Sequence, residues 1–116
     1  MPVKFLADAN LDLDIAAGVL RRVPGLEFRL AADVIPPRMK DPDVLAVAAS
    51  LGCILVSHDV HTMPRHFADY VSLHTSPGLI LSPFTVSVGR AIEDLVMIAH
   101  ASEPHEWVGR IVWLPV

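Results

Sequence analysis

The sequence predicts an α/β fold: a three-layer α/β/α sandwich with a mostly parallel five-stranded sheet. Short apolar runs alternate along the chain with segments whose apolar residues recur at helical spacing. The apolar runs are continuous, as expected for strands that are covered by helices on both faces. With 116 residues, 53% of them hydrophobic, the chain has room for one domain, residues 1–116, and can bury a core without disulfides.

Local signals define where the elements begin and end. Asp41-Pro42-Asp43 predicts a helix start, with Asp41 as the N-cap and Pro42 at the first helical position. Gly52 is predicted to end that helix, and Ser87 to cap the helix before the last strand. The predicted strands are 3–7, 26–30, 53–57, 78–82 and 110–114, and the predicted helices are 12–22, 41–51, 65–70 and one that follows Ser87.

Composition excludes several classes of protein. Cys53 is the one cysteine, so no internal disulfide can form; it fits a reducing, cytoplasmic compartment and is predicted to be a buried core thiol. Residues 70–89 carry no Asp, Glu, Lys or Arg, but Pro77, Gly78 and Pro83 interrupt them, so no membrane span is expected. The net charge of −4 argues against a sequence-independent nucleic-acid coat, although carboxylates around a cation would give the same balance.

Acidic side chains follow the ends of two predicted strands. Asp8 ends the first strand and Asp59 follows the third, while Asp41 and Asp43 open the intervening helix. If the strand order is 2-1-3-4-5, Asp8 and Asp59 emerge from neighbouring strands roughly 4.8 Å apart. Two carboxylates at that separation repel unless a cation lies between them, and a hard ion such as Mg²⁺ or Mn²⁺ suits oxygen ligands. The sequence therefore predicts a metal site at the carboxyl edge of the sheet, where such folds bind ligands.

Each of these residues also has a purely structural interpretation. Asp41 could be only a helix cap, and Asp43 could serve only the helix dipole. Asp8 could cap the following helix, as could Asn10 or Asp12, and Asp59 could be a turn residue. Their joint placement favours the metal site. His61 is a further candidate ligand, although no histidine or cysteine spacing of the zinc type accompanies it.

An ordered set of segments resembles the PIN-like proteins of the DUF5615 group, which is similar to the Mut7-C and VapC-type PIN domains. The resemblance covers nearly the whole chain, with comparable gaps between the segments. The segments are FLADANL at 5–11, DPDVL at 41–45 with Ala48, ILVSHD at 54–59 and GLIL at 78–81.

This resemblance implies a PIN-like fold and a Mg²⁺- or Mn²⁺-dependent ribonuclease, often the toxin of a toxin–antitoxin pair. The catalytic, metal-binding positions of the family would fall on Asp8, Asp41 and Asp59. The family often has a second acidic residue where Asp43 stands. The accessory positions would be Asn10, Ser57 and His58.

The chain departs from the family pattern at two positions. Ala9 stands where the family usually has Glu, and His61 stands where it usually has a further Asp. Loss of that carboxylate would weaken Mg²⁺ binding, shift the preference toward Mn²⁺, or mark an inactive member. A non-catalytic PIN-like module that binds RNA or protein is therefore the alternative. A phosphoacceptor receiver domain is disfavoured, because Asp8 has no acidic neighbour and no Lys follows the last strand.

Several partners follow from these hypotheses. Arg38, Lys40 and Arg65 lie near the acidic segments and could contact phosphates of an RNA substrate, or could be solvated loop charges. The mean hydropathy of +0.48 is high for so small a chain. It suggests that a partner covers some apolar surface, in a homodimer or in a complex with an antitoxin protein.

Overall fold

One all-parallel sheet forms the centre of the molecule in a computed structural model that describes residues 2–116. The strands are β1 (Phe5–Ala7), β2 (Phe28–Leu30), β3 (Ile54–Ser57), β4 (Leu79–Leu81) and β5 (Ile111–Trp113). Their order is β2-β1-β3-β4-β5, and every neighbouring pair is parallel. The predicted five-stranded sheet and its hypothetical order are both confirmed.

Helices cover both faces of this sheet. The longer ones are α1 (Leu13–Arg22), α3 (Asp41–Leu51), α4 (Met63–Val71) and α5 (Val88–Ala101), with a short α2 (Ala31–Val34) and a single 3₁₀ turn at Pro104–Glu106. Helices α1 and α5 pack together on one face, and α3 packs with α4 on the other. The three-layer sandwich is thus confirmed. None of the helices within residues 2–116 has the length and apolarity needed to cross a membrane.

The strands supply side chains to two separate cores. In β1, Phe5 and Ala7 join the core under α1 and α5, and Leu6 joins the core under α3 and α4. This alternation is the period of two of a pleated strand, and it explains why the strands are apolar on both faces. Cys53, just before β3, is fully buried, as predicted.

Two helix ends differ from the prediction: α4 begins at Met63 instead of near 65, and the N-cap of α3 is not the predicted residue. Gly52 ends α3 in the left-handed region at φ 69°, and Ser87 caps α5 by accepting a hydrogen bond from the Arg90 N–H. The prediction that Asp41 is the N-cap of α3 is wrong. Lys40 is the N-cap, because its backbone is extended and its carbonyl accepts the hydrogen bond from Val44 N–H. The Asp41 carboxylate therefore does not cap the helix.

Candidate functional site

A cavity of about 490 Å³ opens beside the carboxyl ends of β1 and β3. Three carboxylates from separate segments line it: Asp8 directly after β1, Asp59 after β3, and Asp41 at the start of α3. Its other polar lining residues are Asn10 and Arg38. The rest of its wall is mostly apolar and comes from α2, α3 and the loop between them: Ala31, Ala32, Ile35, Pro36, Pro37, Met39 and Val44.

Ser57 links the ends of the neighbouring strands β1 and β3 by hydrogen bonds. Its hydroxyl donates a hydrogen bond of 2.7 Å to Asp8 Oδ2 and accepts one of 3.0 Å from the Asp59 N–H. The Ala9 N–H donates to the other oxygen, Asp8 Oδ1, at 2.9 Å. Asp8 is only 8% exposed, so these bonds replace most of the water that a carboxylate requires. The register of β1 against β3 pairs Ala7 with Val56, which brings the next residues of the two strands together.

Asp59 also organises the turn that leads into α4. Its Oδ1 accepts hydrogen bonds from the His61 and Thr62 N–H groups, and the Thr62 hydroxyl donates to Oδ2. Burial on its own raises the pKa of Asp59, but these hydrogen bonds outweigh burial and hold the pKa below its ordinary value. Asp59 is therefore a turn residue, one of the two interpretations left open by the sequence, and it lines the cavity as well.

Asp41 shows that the three carboxylates interact electrostatically. Burial raises the pKa of Asp41 above its ordinary value, and the negative charges of Asp8 and Asp59 raise it further. The imidazole of His66 opposes them, with Nε2 lying 3.6 Å from Asp41 Oδ2. Sequence reasoning missed His66, because no local signal connects a residue on α4 with the first residue of α3. The carboxylates thus repel one another across one cavity.

Apart from Asn10 and Arg38, the remaining predicted residues do not line the cavity. Asp43 is exposed in the first turn of α3, and His61 is exposed in the turn after Asp59. Of the predicted phosphate contacts only Arg38 lines the cavity, with a left-handed backbone at φ 65°. Lys40 and Arg65 are exposed outside it.

His58 points away from the cavity and is held by the opposite layer. The Asp12 N–H donates to Nε2 at 3.2 Å, so this nitrogen is the unprotonated one, and Nδ1 donates to the Ser82 carbonyl at 2.7 Å. The ring of Phe84 stacks on the imidazole with centroids 4.3 Å apart. His58 thus connects β3, α1 and the end of β4, and the sequence had given no role to Phe84.

The donor set fits a hard divalent cation in its chemistry. It consists of carboxylate oxygens, each with two lone pairs. Asp8 Oδ1, Asp8 Oδ2 and Asp59 Oδ2 each accept one hydrogen bond and keep a lone pair, whereas Asp59 Oδ1 already accepts two hydrogen bonds. The excess negative charge across the cavity also favours a cation. Among residues 2–116, no three His, Cys, Asp or Glu side chains are arranged so that they could hold a metal ion together.

Comparison of the chain with protein-family models, with curated proteins and with solved structures found no match. The resemblance to the DUF5615 group therefore stays a prediction from the sequence.

Proposed function

We propose that this chain is a ribonuclease of the PIN-like type that uses Mg²⁺ or Mn²⁺ bound by Asp8, Asp41 and Asp59. Because no three such side chains within residues 2–116 are arranged to hold one ion as they stand, binding by all three requires the carboxylates to move together around it. One observation carries the proposal: the three carboxylates line one cavity, where burial and then the negative charges of Asp8 and Asp59 raise the pKa of Asp41. A divalent cation relieves this repulsion and favours the ionised form of each ligand. The edge of the sheet involved is the one at which parallel α/β folds bind their ligands.

The three carboxylates, Ser57 and Arg38 have different roles in the proposed hydrolysis of a phosphodiester. Asp8, Asp41 and Asp59 would hold the cation, which when bound would supply a water of lowered pKa and neutralise charge on the phosphate. Ser57 orients Asp8 through its 2.7 Å hydrogen bond. Arg38 is the cationic side chain of the cavity and contacts a phosphate oxygen of the RNA.

A non-catalytic RNA- or protein-binding module is the second candidate, and the turn at Asp59 favours it. The His61 N–H, the Thr62 N–H and the Thr62 hydroxyl donate to the Asp59 carboxylate, and these bonds occupy lone pairs that a cation would otherwise use. His61, which replaces a family carboxylate, is exposed and lines no part of the cavity. In such a module Asp59 and its turn would serve only the structure of the connection between β3 and α4.

Cleavage of a labelled single-stranded RNA in Mn²⁺ separates the two candidates. We expect cleavage by the wild-type chain and a loss of more than about a hundredfold in Asp8→Asn, which exceeds the usual effect of an outer-shell change. The matched control is Glu93→Gln, the same change of charge on an exposed residue of α5. Equal rates in wild type and Asp8→Asn would refute the assignment. RNA binding without cleavage by the wild type would favour the module.

The proposal includes a cytoplasmic site of action and a partner protein. Leu73 is 83% exposed and Trp113 is 47% exposed, and surface of this kind supports a covering partner. We propose an antitoxin protein or a second copy of the chain in this role. Light scattering of the purified chain distinguishes them, because a monomeric mass excludes the second copy.

A further inference from the structure

Phe84 is an exposed aromatic side chain at the carboxyl edge of the sheet. It lies in the loop between β4 and α5, within a turn closed by a 2.9 Å hydrogen bond from the Val86 N–H to the Pro83 carbonyl. One face of its ring lies on His58, with centroids 4.3 Å apart and planes inclined by 29°. Because 80% of the residue is nevertheless exposed, the rest of the ring is open to solvent.

The imidazole of His58, on which Phe84 stacks, is held by hydrogen bonds at both ring nitrogens. His58 is 6% exposed, and both of its ring nitrogens are engaged, one by the Asp12 N–H and the other by the Ser82 carbonyl. These contacts fix the imidazole to α1 and to the end of β4. Because the Phe84 ring stacks on this held imidazole, it loses little further conformational entropy when a base stacks on its open face.

We infer that Phe84, supported by His58, is a stacking platform for an unpaired nucleobase of single-stranded RNA. The inference rests on the proposed action on RNA. Bases of any sequence stack on aromatic side chains, and proteins that bind single strands use this contact repeatedly. The platform and the acidic cavity both lie at the carboxyl end of β3, because His58 directly precedes Asp59, which lines the cavity.

The platform and the cavity lie on opposite sides of the end of β3. His58 contacts α1, whereas Asp8 and Asp41 belong to the side covered by α3. An RNA strand that crosses this edge would have a phosphate at the carboxylates and a nearby base on Phe84. A duplex would not fit this role, because its bases already stack on one another and their faces are hidden.

The test uses a single-stranded RNA that carries one 2-aminopurine, whose fluorescence falls when it stacks. Binding is measured with the full chain carrying Asp8→Asn, which prevents the proposed cleavage and removes one negative charge from the cavity, so no Mn²⁺ is added. We expect quenching on binding, and Phe84→Ala should weaken binding roughly 5- to 140-fold, the range that corresponds to the loss of one base–aromatic stack. Phe84→Trp should bind as well as the parent or better. Phe84→Leu should behave like Phe84→Ala, because it keeps apolar area without a π-face.

Met97→Ala is the matched control. Met97 is 48% exposed and lies near the C-terminal end of α5, whereas the loop that carries Phe84 precedes the N-terminal end of that helix, so its removal should leave RNA binding unchanged. Any of four results would overturn the inference: no binding of the probe by the parent, unchanged binding by Phe84→Ala, full binding by Phe84→Leu, or equal competition by duplex RNA. Self-association that is lost in Phe84→Ala, with RNA binding retained, would show that a second copy covers the ring.

The outcome is separable from that of the proposed function. Quenching that depends on Phe84, combined with no cleavage by the wild-type chain, would leave the platform in place and refute the nuclease. Cleavage by the wild-type chain with an unchanged KM for RNA in Phe84→Ala would refute the platform and leave the nuclease.

Discussion

Removal of the Ser57 hydroxyl should cost more stability than any other single-atom deletion at the candidate site. The hydroxyl donates to the buried Asp8 carboxylate and accepts from the Asp59 N–H, and Ser57 itself is 0% exposed, so no water can replace it. A hydrogen bond to a charged group contributes about 1.5–3 kcal/mol and a neutral one about 1 kcal/mol. We therefore expect Ser57→Ala to lower the free energy of unfolding by about 2.5–4 kcal/mol.

Urea denaturation followed by circular dichroism measures this loss, and the melting temperature should fall by about 10–16 °C, taking about 4 °C per kcal/mol for a chain of this size. In an Asp8→Asn background the cost of Ser57→Ala should fall to about 2 kcal/mol, because both lost bonds then join neutral groups. Ser50→Ala is the control: its exposed hydroxyl donates only to a carbonyl within α3, so a change of about 0.5 kcal/mol or less is expected. A cost of Ser57→Ala no greater than that of Ser50→Ala would refute the role of this hydroxyl.

Three further changes test the electrostatics and the packing of the fold. The pKa of Asp41 is raised above its ordinary 3.8, so just above pH 3.8 the folded chain retains a proton that the unfolded chain has lost, and the free energy of unfolding falls as pH rises through the raised pKa. Asp41→Asn should remove this part of the pH dependence of urea unfolding. An identical dependence of unfolding free energy on pH in the variant and the wild type would contradict the prediction. Burial raises the pKa of Cys53 to about 11, and the residue is fully buried, so a thiol reagent should modify it only after denaturation; rapid labelling of the native chain would be the opposing result. Gly78→Ala should lower the free energy of unfolding by about 2–6 kcal/mol, because an alanine is strained at a φ of 127° and its Cβ would lie 2.6 Å from the Trp107 carbonyl oxygen. Gly89→Ala is the control. A Cβ at Gly89, in α5, meets nothing within 4 Å, so this change should be neutral or stabilising in thermal melts.

The architecture could be predicted because its signals are local and repeated. Continuous apolar runs such as 53–56 identify buried strands, and Gly52 and Ser87 mark helix ends by their backbone and capping chemistry. Helix α2 could not be predicted, because four residues are too few to show a period. The N-cap of α3 was predicted one residue too late. Aspartate is a common N-cap, which favoured Asp41, but the extended backbone of the N-cap position occurs at Lys40.

The candidate site was predictable only in part, because it depends on distances between remote segments. Asp8 and Asp59 could be placed together once β1 and β3 were taken as neighbours. The bonds of Ser57 appear only when those strands are paired, since a serine in a strand has no signature of its own. The contact of His66 with Asp41 depends on the packing of α4 against α3, which no sequence spacing encodes.

Calorimetric titration with Mn²⁺ at neutral pH, combined with thermal melts, tests most directly whether the acidic cavity binds a cation. At a hundred times the dissociation constant, a ligand that binds only the folded chain adds about 2.7 kcal/mol, which corresponds to about 10 °C here. We expect the wild-type chain and Glu93→Gln to bind and to show this shift, and Asp8→Asn and Asp41→Asn to lose most of it. No heat of binding in the wild type, or an equal shift in all four proteins, would contradict a metal centre at these carboxylates.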